Sequence, residues 1–234
     1  MLAILRRELS AYFNSAIGYI VMAVFYFFSG MYFYLYCLYY GSSNLTPVFS
    51  NMFMIILFLI PIITMKSFSE EKRQKTDQAL LTAPVSLFEV VMGKFLSAFI
   101  LYACCVAIFI VYAIVISFFT TPQWAVILCT ILGMLLLGGS LIAIDIFISA
   151  LTESQVIAAI ISIAAGLFIY MIDSLANITQ STFLTGILSK VSFNNNFMNF
   201  TYGILNLSNF VFFVSVIAIF VFLTIRVFEK KRWS

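Results

Sequence analysis

Charge in this sequence is gathered into a few short stretches, and the runs between them are too apolar and too long to face water. No Asp, Glu, Lys or Arg occurs from residue 9 to 65, nor from 95 to 144. Apolar residues make up 64% of the 234-residue chain and charged ones 9%, with a mean hydropathy of +1.13. Soluble domains carry about 25% charged residues, and a chain this apolar lacks the polar groups to cover its own surface. It therefore reads as an all-α polytopic membrane protein, because in lipid a spanning segment must satisfy its backbone internally.

Six runs have the length for a crossing: residues 17–40, 48–65, 90–119, 124–151, 155–172 and 208–227. Ahead of them, Leu2, Leu5, Leu9, Tyr12 and Ala16 fall on one helical face, with Arg6, Arg7, Ser10 and Asn14 on the other. That pattern suits a helix lying in the interface. Pro61 lies inside the second run, where a proline frees a carbonyl and permits a bend, so it is a candidate hinge. Gly133, Gly138, Gly139, Ser140 and Ala143 in the fourth run, and Ala158, Ser162 and Gly166 in the fifth, offer small faces for close helix approach. Residues 173–207 form a second polar interlude, charged only at Asp173 and Lys190.

Residues 66–94 depart from everything around them, holding nine of the 21 charged residues (12 basic, 9 acidic). Ser67 with Glu70, and Ser86 with Glu89, fit the Ser-x-x-Glu capping box. The first predicts a helix over residues 68–81. The second predicts a new helix from Leu87, after the break at Thr82-Ala83-Pro84. Counting Lys and Arg by side, eleven fall with the two ends and this insert, and only Lys190 falls opposite. By the positive-inside rule both ends and the insert are cytosolic.

Several chemistries are excluded or poorly served. There is no His, hence no Ser-His or Cys-His nucleophile and no imidazole metal site. Cys37, Cys104, Cys105 and Cys129 lie in apolar runs without metal-ligand spacing. Asp145 is the one intramembrane acid with a claim to function. An aspartyl protease needs two such groups together, and the helix over 153–173, rising about 30 Å, separates Asp145 from Asp173. No G-x-x-x-x-G-K-[ST] occurs, so the chain has no P-loop for ATP.

The order FSEEKRQKTDQALLTAPV at 68–85, then EVVMGKF at 89–95, resembles the segment after the second span of ABC-2 type permeases. That segment usually reads E-E-(K/R)-x-x-G-T-x-E-x-L-L-T-x-P; here Lys75 stands where Gly is common and Asp77 where Glu is. Phe197, Phe200, Gly203, Ile204, Asn206 and Leu207 fit the pattern before the last span of the gliding-motility and nitrous-oxide-reductase-accessory subgroup. The resemblance covers almost the whole chain.

It implies a single transmembrane domain over 1–234, with an elbow helix at 1–16, a cytosolic coupling segment at 66–89 and an external or re-entrant segment at 173–207. Phe68, Glu70, Glu71, Lys72, Arg73, Asp77, Leu80, Leu81, Pro84 and Glu153 would face an ATPase. Implied partners are two ABC ATPase subunits, a second permease chain (the same or different), membrane lipid and an auxiliary membrane or extracytoplasmic subunit, with no nucleic acid. The protein would not be an enzyme and would hold no cofactor, ATP and Mg being bound by the ATPase. The implied location is the bacterial inner membrane and the implied role is export. Two other readings stay open: a membrane subunit relaying ATPase motion to an external partner, and a secondary transporter.

Overall fold

The computed structural model describes residues 1–75, 86–178 and 190–233, and these are helical with short connections. Helix α1 (Leu2–Phe13) precedes α2 (Ala16–Phe33), which continues as a π-helical turn, Tyr34–Tyr39. Then come α3 (Thr46–Thr64), the short α4 (Ser69–Arg73), α5 (Leu87–Val106), α6 (Ile108–Ser117), α7 (Trp124–Leu151), α8 (Gln155–Ile178), α9 (Phe193–Thr201) and α10 (Leu207–Trp233). Six stretches are long and apolar enough to cross a membrane, at the places the sequence predicts. The third is not one straight run, since α5 and α6 meet at a break at Ala107, and the π turn was not foreseen.

Helix α7 is the centre of the bundle. It packs against α3, α5, α8, α9 and α10, and 72% of its most apolar window is buried, against 17% for α8 and α10. Small residues make this possible. A Cβ on Gly138 would collide with the ring of Tyr102, whose hydroxyl donates to the Met134 carbonyl at 2.9 Å. One on Gly133 would lie 2.5 Å from Cβ of Phe200. The face Ala158, Ser162, Gly166 of α8 is likewise buried, and a Cβ on Gly166 would lie 3.1 Å from Leu57 of α3. Leu57 is four residues before Pro61, whose missing N–H leaves that turn without its helical bond.

The two ends of the bundle differ. At one, which we term the charged end, α1, α4, the start of α5 and the ends of α7 and α10 meet. At the other, α9 is seated across α7: Thr130 Oγ1 donates to the Phe200 carbonyl and Thr46 Oγ1 to the Thr201 carbonyl, each at 3.1 Å. Ser192 caps α9 by accepting from the Asn195 N–H at 2.9 Å. Phe197 and Phe200 are fully buried, and Gly203 turns the chain into α10 with φ +76°.

Gly138→Ala is expected to destabilise the protein by about 1–3 kcal/mol, since the Tyr102 ring is too confined to give way. Gly30→Ala in α2, which meets its nearest neighbour at an ordinary 3.5 Å, is expected to leave stability unchanged or raise it by up to about 1 kcal/mol. Thermal unfolding of the purified variants in one detergent compares them.

Candidate functional site

The second crossing does not end cleanly. Between Thr64 and Ser69 the chain leaves the helix for one turn, exposing carbonyls and N–H groups at a depth where water is scarce. Side chains from three other helices take them up. Tyr12 of α1 donates to the Ile63 carbonyl at 3.0 Å. Burial there raises the Tyr12 phenol above its ordinary value, so it stays a donor. Lys94 of α5 donates to the Ser67 carbonyl at 2.6 Å. Ser149 of α7 accepts from the Phe68 and Ser69 N–H groups at 3.1 and 3.2 Å and donates to the Met65 carbonyl at 3.3 Å. One donor and two acceptor sites are all a hydroxyl has. Ser149 uses every one.

Lys94 is only 2% exposed, and its three N–H groups also have three acceptors. Besides Ser67 it reaches Glu71 Oε1 of α4 at 2.9 Å and Glu8 Oε1 of α1 at 3.2 Å. The Phe68 ring lies 4.9 Å from its nitrogen, a cation–π contact in a desolvated setting. Arg7, half in water, closes the cluster through Glu8 at 2.7 Å and Glu71 at 3.1 Å. The hydrogen bond that it donates to Glu8 holds the guanidinium above the ordinary value. Two acids and two bases thus join α1, α4 and α5. The Phe68 ring also packs against that of Phe228 of α10, tilted, with centroids 4.6 Å apart, and Lys72 donates to the Ala150 carbonyl at the end of α7.

The local signals fared unevenly. Ser86 caps α5 as expected, accepting from the Glu89 N–H at 3.3 Å, and Glu89 in turn meets the chain's first amine at 3.3 Å. The predicted box at Ser67 and Glu70 does not form: α4 starts at Ser69, and Ser67 makes no cap. The Ser67 N–H that Glu70 would have served bonds instead to the Thr64 carbonyl at 2.9 Å, and Ser149 holds the next two N–H groups, those of Phe68 and Ser69. Of the helix predicted over 68–81, residues 76–81 lie outside the described residues; α4 ends at Arg73, with Lys75 in the left-handed region at φ 56°. Its N–H bonds back to the Lys72 carbonyl at 3.1 Å, the five-to-two bond of a Schellman end. Lys75 therefore occupies a conformation that favours glycine, the residue common there in the segment it resembles.

The family model described as ABC-2 family transporter protein matches residues 2–233. The chain belongs to that family. No curated protein matches the sequence. ABC-2 proteins are multi-pass membrane subunits of ABC transporters without an ATPase site of their own, working with an ABC ATPase and often as dimers.

Within this ABC-2 chain the expected coupling residues divide into three groups. Phe68 is buried, Glu71 is built into the ion cluster and Glu70 is half-buried at its edge. Arg73 is exposed, as is Glu153 in the turn between α7 and α8, and α4 packs against both of those helices. Asp77, Leu80, Leu81 and Pro84 lie outside the described residues. Pro61 is buried within α3, its carbonyl accepting from the Met65 N–H at 2.8 Å. Asp145 is 4% exposed and lies beside Thr64 of α3 and Ser162 of α8. It stands one turn before Ser149 on α7, so the two continue one polar seam. Among the described residues no three His, Cys, Asp or Glu side chains group as a metal site.

Lys94 and Ser149 were missed as site residues. Lys94 carries a signal in the sequence, a lone cation just inside an apolar helix, which the count of charges by side absorbs as one more cytosolic cation. Ser149 gave none, since serines are common in membrane helices. Lys94→Met removes the buried cation between the partly buried Glu8 and Glu71 carboxylates and is expected to cost about 3–5 kcal/mol. Ser149→Ala orphans two N–H groups and is expected to cost about 1–3 kcal/mol. Arg7→Ala, at the wet edge, is expected to cost about 1 kcal/mol or less. Unfolding of the detergent-purified variants gives the order.

Proposed function

We propose that this chain is the permease half of an ATP-driven exporter in the bacterial inner membrane, with the charged end and both termini in the cytosol. In this reading residues 68–89 take up the motion of two ATPase subunits, which hold the ATP and Mg. The carrying observation is the way the first turn of that segment is fastened: through Lys94, Ser149 and Phe68 it is joined to α1, α5, α7 and α10 at once. A push on such an element displaces helices rather than a loop. The short helix α4 also packs against α8.

Two permease chains would pair around a path lined by α3 and α8, with Pro61 as the hinge of α3. Its walls would be Ile, Leu, Phe and Met, which suit an amphipathic or lipid-linked cargo better than an ion. The pattern around Phe197, Phe200 and Gly203 supports a likeness to the gliding-motility and nitrous-oxide-reductase-accessory subgroup. One observation favours a second reading, relay of ATPase motion to an external auxiliary subunit. Helix α7 holds the coupling turn at Ser149 and α9 at Thr130 and Gly133, so a single rigid helix links the two ends.

A P-loop ATPase is expected to copurify stoichiometrically in mild detergent and to be lost when residues 68–89 are replaced by a neutral linker. Arg73→Glu and Glu153→Lys alter exposed charges outside the ion cluster. They are expected to reduce ATPase-driven transport about tenfold with thermal stability unchanged. A pure chain with no ATPase across several detergents would overturn the reading. ATPase stimulation by another protein without vectorial cargo would favour relay.

A further inference from the structure

A cavity of about 560 Å³ lies between α1 and the end of the second crossing. That is within the range of about 300–1,000 Å³ typical of small-molecule sites. Arg7 and Ala11 of α1 and Ser15 at the start of α2 form one wall, facing Ile62 of α3, Lys66 in the turn and Glu70 of α4 on the other side. The lining is graded along its length, apolar at Ile17, Ile62 and Ile63 and charged at Arg7, Lys66 and Glu70. This is the order in which a membrane lipid presents acyl chain, glycerol and headgroup.

The charges in the lining fall into two sets. Glu8, Glu71, Arg7 and Lys94 are paired with one another. Lys66 and Glu70 are not: neither makes an ion pair with another described residue, and Glu70 accepts only a long 3.4 Å bond from Gln74. They stand four residues apart, both half-buried, and do not reach each other. A cation and an anion held apart on one cavity wall complement a ligand that carries both signs.

We propose that this cavity binds a phospholipid whose headgroup joins a phosphate to a primary ammonium, as phosphoethanolamine does. The phosphate sits at Lys66, helped by Arg7, whose ion pairs use only one of its guanidinium nitrogens. The ammonium donates to the Glu70 carboxylate. Both line one cavity four residues apart, and a phosphate and an amine joined through two carbons carry the two complementary charges on one headgroup. A glycerol headgroup offers Glu70 no cation, and a choline headgroup offers it no N–H. The site needs only a chain embedded in a membrane and stands apart from the coupling reading.

The test is native mass spectrometry of the full chain released from nanodiscs of equal phosphatidylethanolamine, phosphatidylglycerol and phosphatidylcholine. The wild type is expected to retain one phosphatidylethanolamine at least about tenfold over either other lipid. Lys66→Gln is expected to lower retention of both phosphatidylethanolamine and phosphatidylglycerol, whereas Glu70→Gln abolishes the preference between them. Equal retention of the three lipids by the wild type overturns the proposal, and so does an ethanolamine preference that survives both substitutions. A second measurement needs no variant: phosphatidylethanolamine with a photoreactive group next to its glycerol should label peptides containing Ile17 or Ile62, and labelling confined to α8 or α10 overturns the placement.

Discussion

The ammonium of Lys94 has no water to fall back on, and the charged end of the bundle is arranged around that fact. A buried cation is tolerated when every N–H finds an acceptor and nearby charge balances its own. Here the acceptors come from three separate pieces of chain: a carboxylate of α1, a carboxylate of α4 and the Ser67 carbonyl. The last matters most, because a main-chain carbonyl fixes the path of the chain as a side chain does not. Holding Ser67 sets where the second crossing breaks, and the break sets the direction in which the polar insert leaves the membrane.

Ser149 completes the arrangement from the opposite side. A turn of backbone stripped of its helical bonds inside an apolar setting would cost several kcal/mol for each orphaned group. Between residues 63 and 69 those groups are held by Tyr12, Lys94 and Ser149, drawn from α1, α5 and α7. The break is thus a property of the tertiary structure. It exists only while the neighbouring helices are in place, and any displacement of the turn is resisted by all three.

This explains which parts of the molecule were legible in the sequence. The six crossings were, because their signal is hydropathy summed over some twenty residues and no tertiary contact can reverse it. The close approaches at Gly133, Gly138 and Gly166 were foreshadowed by small residues, though not their partners Phe200, Tyr102 and Leu57. The box at Ser86 is purely local and formed as read. The box at Ser67 is the same motif and did not form: the Ser67 N–H turns back to the Thr64 carbonyl, while Ser149, eighty or so positions away, fixes the path of the next two residues through the Phe68 and Ser69 N–H groups. Local motifs are dependable where nothing distant holds the same turn. The insert lies where something does.

Helix α7 decides how far a disturbance at this end can travel. Its 28 residues span about 42 Å, and its neighbours press on it along most of that length. Close-packed helices of this kind do not deform continuously; they shift between discrete packings. Gly133 and Gly138 tighten the constraint, because a helix that receives a Phe200 or Tyr102 ring against its backbone cannot slide past it without unseating the ring. A force applied at Ser149 therefore has two outcomes available. Either the α3–α7 fastening gives way and the motion stops at the surface, or α7 moves as a unit and carries α9 with it through Thr130 and Gly133. The saturated hydrogen bonding of Ser149 weighs against the first, since each broken contact there leaves an unsatisfied polar group.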